Sequence, residues 1–448
     1  MTRYTSATDA DRAEMLAKIG AGSVADLFSE IPEAVRLQKP MDIPAGMSEQ
    51  DVYDHLAALA GRNRDCEAEI SFLGAGMYDH YVPALIDSIL SRSEFLTPYT
   101  PYQPEISQGG LQVMFEYQTA ISELTGLPVS NASLYEGPSS VPAAGWLAIQ
   151  ENKRTRFVVS RGLHPHSRET LETYARGFGA TVHEAGLDET GATDVDALAA
   201  LVDEDTAAVF VQQPNFLGTV EDLGVLSEAA KRTGALFVCA ADPLPLGILA
   251  PPGEFGVDVC VGEGQTLGNR LDFGGPSFGF FAASEDHIRK MPGRIAGETK
   301  DVDGRRGFVL TLQTREQHIR REKATHNICT AQALNALAGV IYLSWLGRKG
   351  IVELGELMLR RTAYARQALP FEAINSGPVV REFAVKVPDM DALFQAARAE
   401  GVNPGYRLGR DYPEYQDGLL VAITERRTKE HIDKLARIAA GVGAEVTA

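Results

Sequence analysis

The sequence lacks several features that assign a protein to a class at once. No run of about 18 apolar residues occurs in its 448 positions, so it holds no candidate for a membrane-spanning helix. The first twenty residues are polar, and we expect no export signal there. Positive charge is scarce too: 42 Lys and Arg stand against 60 Asp and Glu, a formal net charge of -18. Because such a surface repels polyanions, we expect protein and small-molecule partners, with no nucleic acid and no membrane.

Cysteine is also rare. The four cysteines are widely spaced: Cys66, Cys239, Cys260 and Cys329. Cys239 and Cys260 lie in apolar, strand-like segments, so we interpret them as small buried side chains rather than as metal ligands or a disulfide. The sequence therefore predicts a cytoplasmic protein without a metal site.

Hydrophobic residues make up 44% of the chain, enough for a large core. Short apolar, β-rich segments recur between residues 156 and 263: RFVVS, ATVHEA, AAVFVQQ, ALFVCAA and VDVCVGE. Helical patterns separate them: SRETLETYARGFG, VDALAALVDED and VEDLGVLSEAAKRTG. This alternation predicts an α/β fold with a doubly wound, mainly parallel sheet, in which ligands lie at the carboxyl ends of the strands.

Three regions are predicted along the chain. Residues 1–90 form a helical arm, residues 91–325 the large α/β domain, and residues 326–448 a helical connection and a small C-terminal α+β domain. The connection is expected to be helical from about Thr325. Within the large domain, the proline-rich stretch SEFLTPYTPYQPEISQG predicts an ordered loop, and the apolar spacing from Leu111 to Leu124 predicts a helix that ends at Gly126.

The stretch LYEGPSSVPAAGW contains a candidate phosphate site. Gly137, Ser139 and Ser140 stand where an apolar segment passes into a helix, and free N–H groups, hydroxyls and the helix dipole there suit a phosphate. The same position has a simpler interpretation, in which Ser139 or Ser140 only caps the helix.

Two further loops follow predicted strands. His164 and His166 come before a helix and could stack on a ring or act in acid–base chemistry, although a solvated loop histidine is the alternative. Asp242 ends the segment ALFVCAAD, where a carboxylate could hold a protonated pyridine nitrogen.

The next turn lacks the residue that would complete such a site. Pyridoxal-phosphate enzymes of the large aminotransferase-like class carry a Schiff-base lysine after the following strand, but VGEGQTLG places Gln265 there. An amide cannot form an imine. Lys231 precedes the strand of Asp242, and Lys290 and Lys300 follow in a stretch that we expect to be exposed. An ordinary sheet domain without any degenerate site remains the alternative.

Long motifs resemble one known family. The segments FLGAGMYDHYVP, YTPYQPEISQGGLQ, LTGLPVSNASLYEG, VGEGQTLGN and RGFVLTLQTREQHIRREKAT are similar to the alpha chains of two-chain glycine dehydrogenase (decarboxylating), the P-protein of the glycine cleavage system. The resemblance spans nearly the whole chain. One departure is His326, which stands where the family leads us to expect serine.

The resemblance implies a pyridoxal-phosphate-dependent aminotransferase-like (type I) fold and an α2β2 assembly with a beta subunit. Pyridoxal 5'-phosphate is then bound covalently by the beta partner and not by this chain, whose degenerate site comprises Ser139, Ser140, His164, Asp242 and Gln265. The implied reaction decarboxylates glycine and passes the aminomethyl group to the lipoyl arm of H-protein.

The resemblance also implies that residues of this chain complete the partner's pocket. The candidates are Tyr99, Tyr102, Gln103, Glu105, Gly274, Gly275, Thr325, His326 and Asn327. For the Tyr99–Glu105 loop, the alternative is a rigid loop that only packs on the sheet. Two other functions stay open for the chain: a stand-alone pyridoxal-phosphate enzyme, and an assembly scaffold without a part in the chemistry.

Overall fold

A computed structural model describes residues 6–39 and 41–446, the last four of them by backbone alone. Contacts divide the chain into two compact units, Met1–Arg64 and Asp65–Ala448. The divisions predicted at residues 90 and 325 stay predictions.

In its described part the first unit contains two α-helices, and the other α-helices described belong to the second unit. The first helix begins with a capping box, in which Thr8 accepts from the Asp11 backbone and Asp11 accepts in return. The helices are α1 Asp9–Ile19, α2 Glu49–Ala60, α3 Ala84–Leu90, α4 Ser93–Leu96, α5 Gln108–Thr125, α6 Gly137–Asn152, α7 Pro165–Phe178, α8 Val195–Leu201, α9 Leu223–Lys231, α10 Gln317–Arg320, α11 Ala333–Ala368, α12 Met390–Ala399 and α13 Lys429–Val446.

The strands found among the described residues lie in the second unit. They are β1 Ile70–Ser71, β2 Val129–Ser130, β3 Arg156–Ser160, β4 Thr181–Ala185, β5 Thr206–Gln213, β6 Leu236–Ala241, β7 Val259–Glu263, β8 Gly279–Ala283, β9 Ile295–Lys300, β10 Arg306–Thr311, β11 Glu372–Ala373, β12 Glu382–Lys386, β13 Val402–Asn403, β14 Tyr406–Arg407 and β15 Gly418–Ala422.

Seven strands form the central sheet in the order β2-β8-β7-β6-β5-β3-β4. The strands from β7 to β4 run parallel, while β8 is antiparallel to both of its neighbours. Strands β5, β6 and β7 are buried on both faces, since one apolar core includes Val209 and Cys239 and the other includes Phe210 and Val238. The predicted mainly parallel sheet is therefore confirmed, and so is the burial of Cys239 and Cys260.

The C-terminal part forms a smaller α+β layer. An antiparallel sheet has the order β11-β12-β15-β14, and helices α12 and α13 pack on it through a core that includes Phe383, Leu393, Val421 and Ile432. Strand β1 adds a short parallel pair with β13, which ties residues 70–71 to this layer.

Two predictions about local structure need correction. The connection is not helical from Thr325, because α11 begins only at Ala333. Side-chain acceptors take the backbone N–H groups that a helix would need: His326 Nδ1 binds Ile328 N, Tyr135 Oη binds Cys329 N, and Ser133 Oγ binds Gln332 N.

The proline-rich loop is also more structured than predicted. Helix α4 occupies Ser93–Leu96, a 3-10 turn that starts with proline occupies Pro104–Ile106, and α5 begins at Gln108. The helix predicted to end at Gly126 does so, with Gly126 at φ 69°.

Within the described ranges, no helix has the length and apolar character needed to cross a bilayer.

Gly218 marks a tight contact between the two layers, and its replacement gives a test of the fold. Its φ is +91°, and a Cβ there would lie 1.9 Å from the backbone oxygen of Glu382 in β12. We expect Gly218→Ala to lower the free energy of unfolding by about 3 kcal/mol, through backbone strain and the clash.

The matched control is Gly177→Ala on the exposed side of α7, where a Cβ meets nothing within 4 Å. This variant should be as stable as the wild type or about 0.5 kcal/mol more stable. Urea unfolding measures both changes, and equal stability of the two variants would show that the layers do not meet at Gly218.

Candidate functional site

A cavity of about 400 Å³ lies at the carboxyl ends of β5, β6 and β7, where the sequence predicted a ligand site. Five of the predicted residues line it: Gly137, His164, His166, Asp242 and Gly274. The segment Ala75–Tyr78 forms another part of its wall, and Arg381 reaches it from the edge of β12.

Gln265 is buried, and its side chain does not point to free space. Its Oε1 accepts from the backbone N–H of Tyr78 at 2.9 Å, and its Nε2 donates to the Tyr78 and Asn269 carbonyls at 3.1 and 2.9 Å. The amide therefore uses its hydrogen-bonding groups to hold the Ala75–Tyr78 segment against the turn after β7. Gln265 lies in the predicted turn, and its role there is structural, because its side chain joins two segments by hydrogen bonds.

The amino end of α6 is occupied by carboxylates. Glu136 caps the helix and accepts from Ser139 N at 3.0 Å, and Glu263 accepts from Gly137 N at 2.9 Å. The capping interpretation of Ser139 or Ser140 is therefore wrong: both hydroxyls donate to the Glu136 carbonyl within the first turn. A glutamate here takes the interaction with the helix dipole that a phosphate would need.

Glu263 is held in place by further donors. It also accepts from Gln265 N at 2.9 Å and from Ser277 Oγ at 2.6 Å. Burial raises the pKa of its carboxyl above the ordinary value, against the effect of these hydrogen bonds.

Asp242 forms an ion pair with Arg381, so it is not free to hold a pyridine nitrogen. The Arg381 guanidinium is buried and lies 3.3 Å from the centre of the Tyr78 ring. The Tyr78 hydroxyl in turn donates to Glu382 at 2.6 Å, and the Ala75 N–H donates to the same carboxyl at 2.8 Å. Burial raises the pKa of Glu382 to about 7.

His164 is partly buried and both of its ring nitrogens are hydrogen-bonded to backbone groups, so the solvated alternative is wrong for it, while His166 is exposed. The His164 Nδ1 accepts from His166 N at 3.1 Å, which leaves Nε2 to donate to the Ala75 carbonyl at 2.9 Å. Burial lowers the pKa of His164 to about 4, so the ring is neutral at physiological pH. Its edge packs against Phe216 at a centroid distance of 4.9 Å.

These residues do not fit a covalently held pyridoxal phosphate. The turn after β7 offers an amide in place of an amine, the helix end carries two carboxylates, and the carboxylate of Asp242 is paired with an arginine. A phosphate dianion would add two negative charges beside Glu136 and Glu263, which is unfavourable in a partly buried site.

A second cavity of about 300 Å³ brings together another set of the predicted residues. Ser139, Thr325, His326 and Asn327 line it, together with the aromatic side chains of Tyr135, Trp146, Tyr174 and Phe178. Thr325–Asn327 and Ser139 are thus neighbours, although the sequence assigned them to different sites.

The loop from Tyr99 to Glu105 borders neither cavity and is exposed. Tyr99 keeps 83% of its surface accessible, and Gln103 and Glu105 are exposed as well. Tyr102 accepts from Arg294 Nη2 at 3.2 Å and packs edge-on against His318. The turn of Gly274 and Gly275 is exposed at Gly274, with φ values of 108° and 127° that favour glycine.

Sequence reasoning missed the residues that close the first cavity. Glu136 and Glu263 directly flank the predicted loops, and the pattern E-G at the end of each could have drawn attention to them. Arg381 lies 139 positions from Asp242, and no local pattern connects the two.

Comparisons with known proteins find similarity to one family over nearly the full chain. The model of the family described as glycine cleavage system P-protein matches residues 2–439. The probable glycine dehydrogenase (decarboxylating) subunit 1 of Carboxydothermus hydrogenoformans is 48% identical over 442 residues, which cover 98% of this chain and 99% of that protein. The protein of the same name from Brevibacillus brevis is 48% identical over 438 residues, 97% of each chain.

Solved structures support the fold. A crystal structure of glycine decarboxylase (P-protein) of the glycine cleavage system, in inhibitor-bound form, matches with a TM-score of 0.88 and 41% identity, covering 98% of this chain and 100% of that one. Sphingosine-1-phosphate lyase from Burkholderia pseudomallei shares the fold alone, with a TM-score of 0.64 and 16% identity over 92% and 94% of the two chains. The predicted type I fold is confirmed.

The contribution of the Gln265 hydrogen bonds to stability can be measured. Gln265→Ala leaves both backbone groups of Tyr78 and the Asn269 carbonyl without their partner, so the free energy of unfolding should fall by about 3 kcal/mol. Gln112→Ala on the exposed face of α5 is the control and should change stability by less than about 0.5 kcal/mol. If urea unfolding gives both variants wild-type stability, Gln265 does not hold the Tyr78 segment.

The raised pKa of Glu382 predicts how the free energy of unfolding depends on pH. Its folded pKa of about 7 lies above the ordinary 4.5, so between these values the folded state keeps a proton that the unfolded state has lost. Its contribution to stability is therefore full below pH 4.5 and is lost as the pH rises to 7, by on the order of 3 kcal/mol. His164 acts in the opposite direction, because its folded pKa of about 4 favours folding as the pH rises toward 6.5.

The test uses the difference between two proteins. Relative to Glu382→Gln, the wild type should lose stability from pH 4.5 to 7, because only the wild type carries the titrating carboxyl. Glu372→Gln, at an exposed carboxyl of β11, should leave the wild-type slope unchanged. Parallel stability curves for the wild type and Glu382→Gln, from urea unfolding at each pH, would contradict the assignment.

Proposed function

Because the chain belongs to the glycine cleavage system P-protein family, we propose that it is the first subunit of a two-chain glycine dehydrogenase (decarboxylating). With a second subunit, it decarboxylates glycine and passes the aminomethyl group to the oxidised lipoyl arm of H-protein. The assembly is an α2β2 complex of the cytoplasm. The full-length similarity to proteins named as subunit 1 supports this proposal.

One observation supports the proposal that the second subunit, and not this chain, binds the cofactor. In this chain, side chains of the protein itself occupy the positions that would anchor the cofactor. Gln265 is hydrogen-bonded to the Tyr78 backbone, and Glu136 and Glu263 occupy the end of α6 where a phosphate would bind. Pyridoxal 5'-phosphate, which supplies the electron-accepting ring for the decarboxylation, is therefore assigned to the second subunit.

The contribution of this chain is a surface that completes the partner's pocket. The surface consists of Tyr99, Tyr102, Gln103 and Glu105, the turn of Gly274 and Gly275, and the segment Thr325–Asn327. Exposed aromatic rings support this assignment: Tyr99 is 83% and Phe273 93% accessible, although large apolar side chains favour burial. In this surface the tyrosines orient ligand groups and exclude water, while Glu105 offers a hydrogen-bond acceptor.

The first test locates the cofactor. The chain is purified alone and in complex with its second subunit, reduced with borohydride and analysed by mass spectrometry. We expect a pyridoxyl adduct on the second subunit and none on this chain. A stoichiometric adduct on this chain would overturn the proposal and favour a stand-alone pyridoxal-phosphate enzyme.

Gln265→Lys extends this test. The new amine enters a turn whose neighbours are two carboxylates and a paired aspartate, so we expect no adduct on this chain and no decarboxylase activity from the chain alone. A visible cofactor absorbance in this variant would show that the site is less closed than its hydrogen bonds indicate.

The second test separates a working surface from a scaffold. In the complex, Tyr99→Ala and Glu105→Ala should slow the exchange of bicarbonate with the glycine carboxyl about tenfold or more, while the complex stays assembled. Glu189→Ala, at an exposed turn away from this surface, is the control. Full activity of both variants in an intact complex would favour the scaffold.

A further inference from the structure

The first cavity keeps open space, although the positions that would anchor a cofactor are occupied. Its volume of about 400 Å³ lies in the usual range of small-molecule sites. Two of its lining residues, His166 and Gly274, are exposed, so solutes can reach it from solution. Because packed protein interiors leave few voids larger than a water molecule, a space of this size calls for an occupant.

Negative charge prevails in the wall of this cavity. Three carboxyl groups line it: Glu136, Asp242 and Glu263. Arg381, which also lines it, is paired with Asp242, so these two side chains together add no net charge. The histidines of the wall carry no permanent charge. Among the described residues, neither Glu136 nor Glu263 has an ion-pair partner, and their charges are left uncompensated.

The carboxyl groups of Glu136 and Glu263 are neighbours at one end of a helix. Both accept from the first turn of α6: Glu263 Oε2 from Gly137 N at 2.9 Å, and Glu136 Oε1 from Ser139 N at 3.0 Å. Glu263 is bonded by further donors, whereas Glu136 Oε2 accepts no hydrogen bond from the described residues. This free oxygen, with two negative charges close together, is suited to a positively charged donor.

An independent observation comes from the turn after β7. Thr266 lines the cavity and keeps only 2% of its surface accessible. Its hydroxyl has no hydrogen-bond partner among the described residues. Buried polar groups without a partner are rare, because each raises the free energy of the folded state. A polar ligand in the cavity would supply the missing partner.

The remainder of the wall favours an organic ligand over a metal ion. Met77, Pro138, Val141 and Ala240 contribute apolar groups to it. In the part of the chain that the structure describes, no group of three or more His, Cys, Asp or Glu side chains is placed to hold a metal. A hydrated inorganic cation would lose water on the apolar side without gaining ligands there.

We propose that the first cavity is a binding site for a small organic ammonium compound. The ammonium group lies against Glu136 and Glu263 and donates to Glu136 Oε2, and the carbon part of the ligand fills the apolar side. The Thr266 hydroxyl offers a further acceptor for an ammonium N–H. This site is independent of the glycine reaction proposed above, which uses a cofactor held by the second subunit.

The test compares three ligands that share one ring and differ in charge: benzylamine, benzyl alcohol and benzoate. Each is titrated into the purified full chain by calorimetry, at neutral pH and constant ionic strength, and butylamine and 1-butanol repeat the comparison without a ring. At least one amine should bind saturably and raise the melting temperature with its concentration. The matching alcohol should bind about tenfold more weakly or less, and benzoate should not bind.

Variants locate the binding. Glu136→Gln keeps an oxygen that can accept from Ser139 N, so α6 stays capped, but it removes one of the two charges. We expect it to bind the amine about tenfold more weakly and to lose most of the preference for amine over alcohol. Thr266→Val should weaken binding about threefold. Glu189→Gln, at an exposed turn that does not line the cavity, should bind as the wild type does.

Hydrogen–deuterium exchange of the wild type gives a second readout that does not depend on how a variant folds. The amine should protect the start of α6 and the turn after β7, and benzoate should protect neither. The proposal is overturned if neither amine binds, or if amine and alcohol bind equally well. It is also overturned if Glu136→Gln keeps wild-type affinity, or if protection is confined to other segments.

Discussion

The structure around the first cavity depends on the short segment Ala75–Tyr78. Gln265 fixes its end through the Tyr78 backbone, His164 donates to its Ala75 carbonyl, and Glu382 accepts from both of its terminal residues. The four residues of this segment therefore contact three distant parts of the chain: the turn after β7, the start of α7 and the start of β12. The two bonds to Tyr78 are buried and the two to Ala75 are partly buried, so exchanging them for water is unfavourable.

This arrangement explains why an amide suits the turn after β7. A backbone peptide presents a donor and an acceptor side by side, and a glutamine amide presents the complementary pair, so Gln265 binds Tyr78 as a neighbouring strand would. A lysine has donors only and carries a charge that burial opposes. Gln265 cannot form an imine, but its amide makes the hydrogen bonds that hold the Tyr78 backbone in place.

The sequence predicted what is local and periodic. The apolar segments of β3, β5, β6 and β7 were recognisable because a parallel strand covered by helices is buried on both faces, and Gly126 marked the end of α5. Positions decided by distant partners were not predictable. Asp242 was expected to be available because Arg381 lies far along the chain, and Thr325 was expected in a helix because the acceptors that hold the following residues, Tyr135 and Ser133, come from elsewhere in the chain.

The carboxylates around the first cavity differ from two buried arginines elsewhere in the chain in whether they have hydrogen-bond partners. Around the first cavity, Glu136, Glu263 and Asp242 all have donors. Close in sequence to residues that line the second cavity, Arg294 Nε and Arg315 Nη2 have no acceptor among the described residues. Burying a guanidinium without a counter-charge raises the free energy of the folded state. Such a group is tolerated only if other interactions of the fold offset this destabilisation or if a ligand compensates the charge. Each carboxylate around the first cavity therefore has a donor from this chain's own residues, whereas each of the two arginines keeps an N–H group that no described residue accepts from.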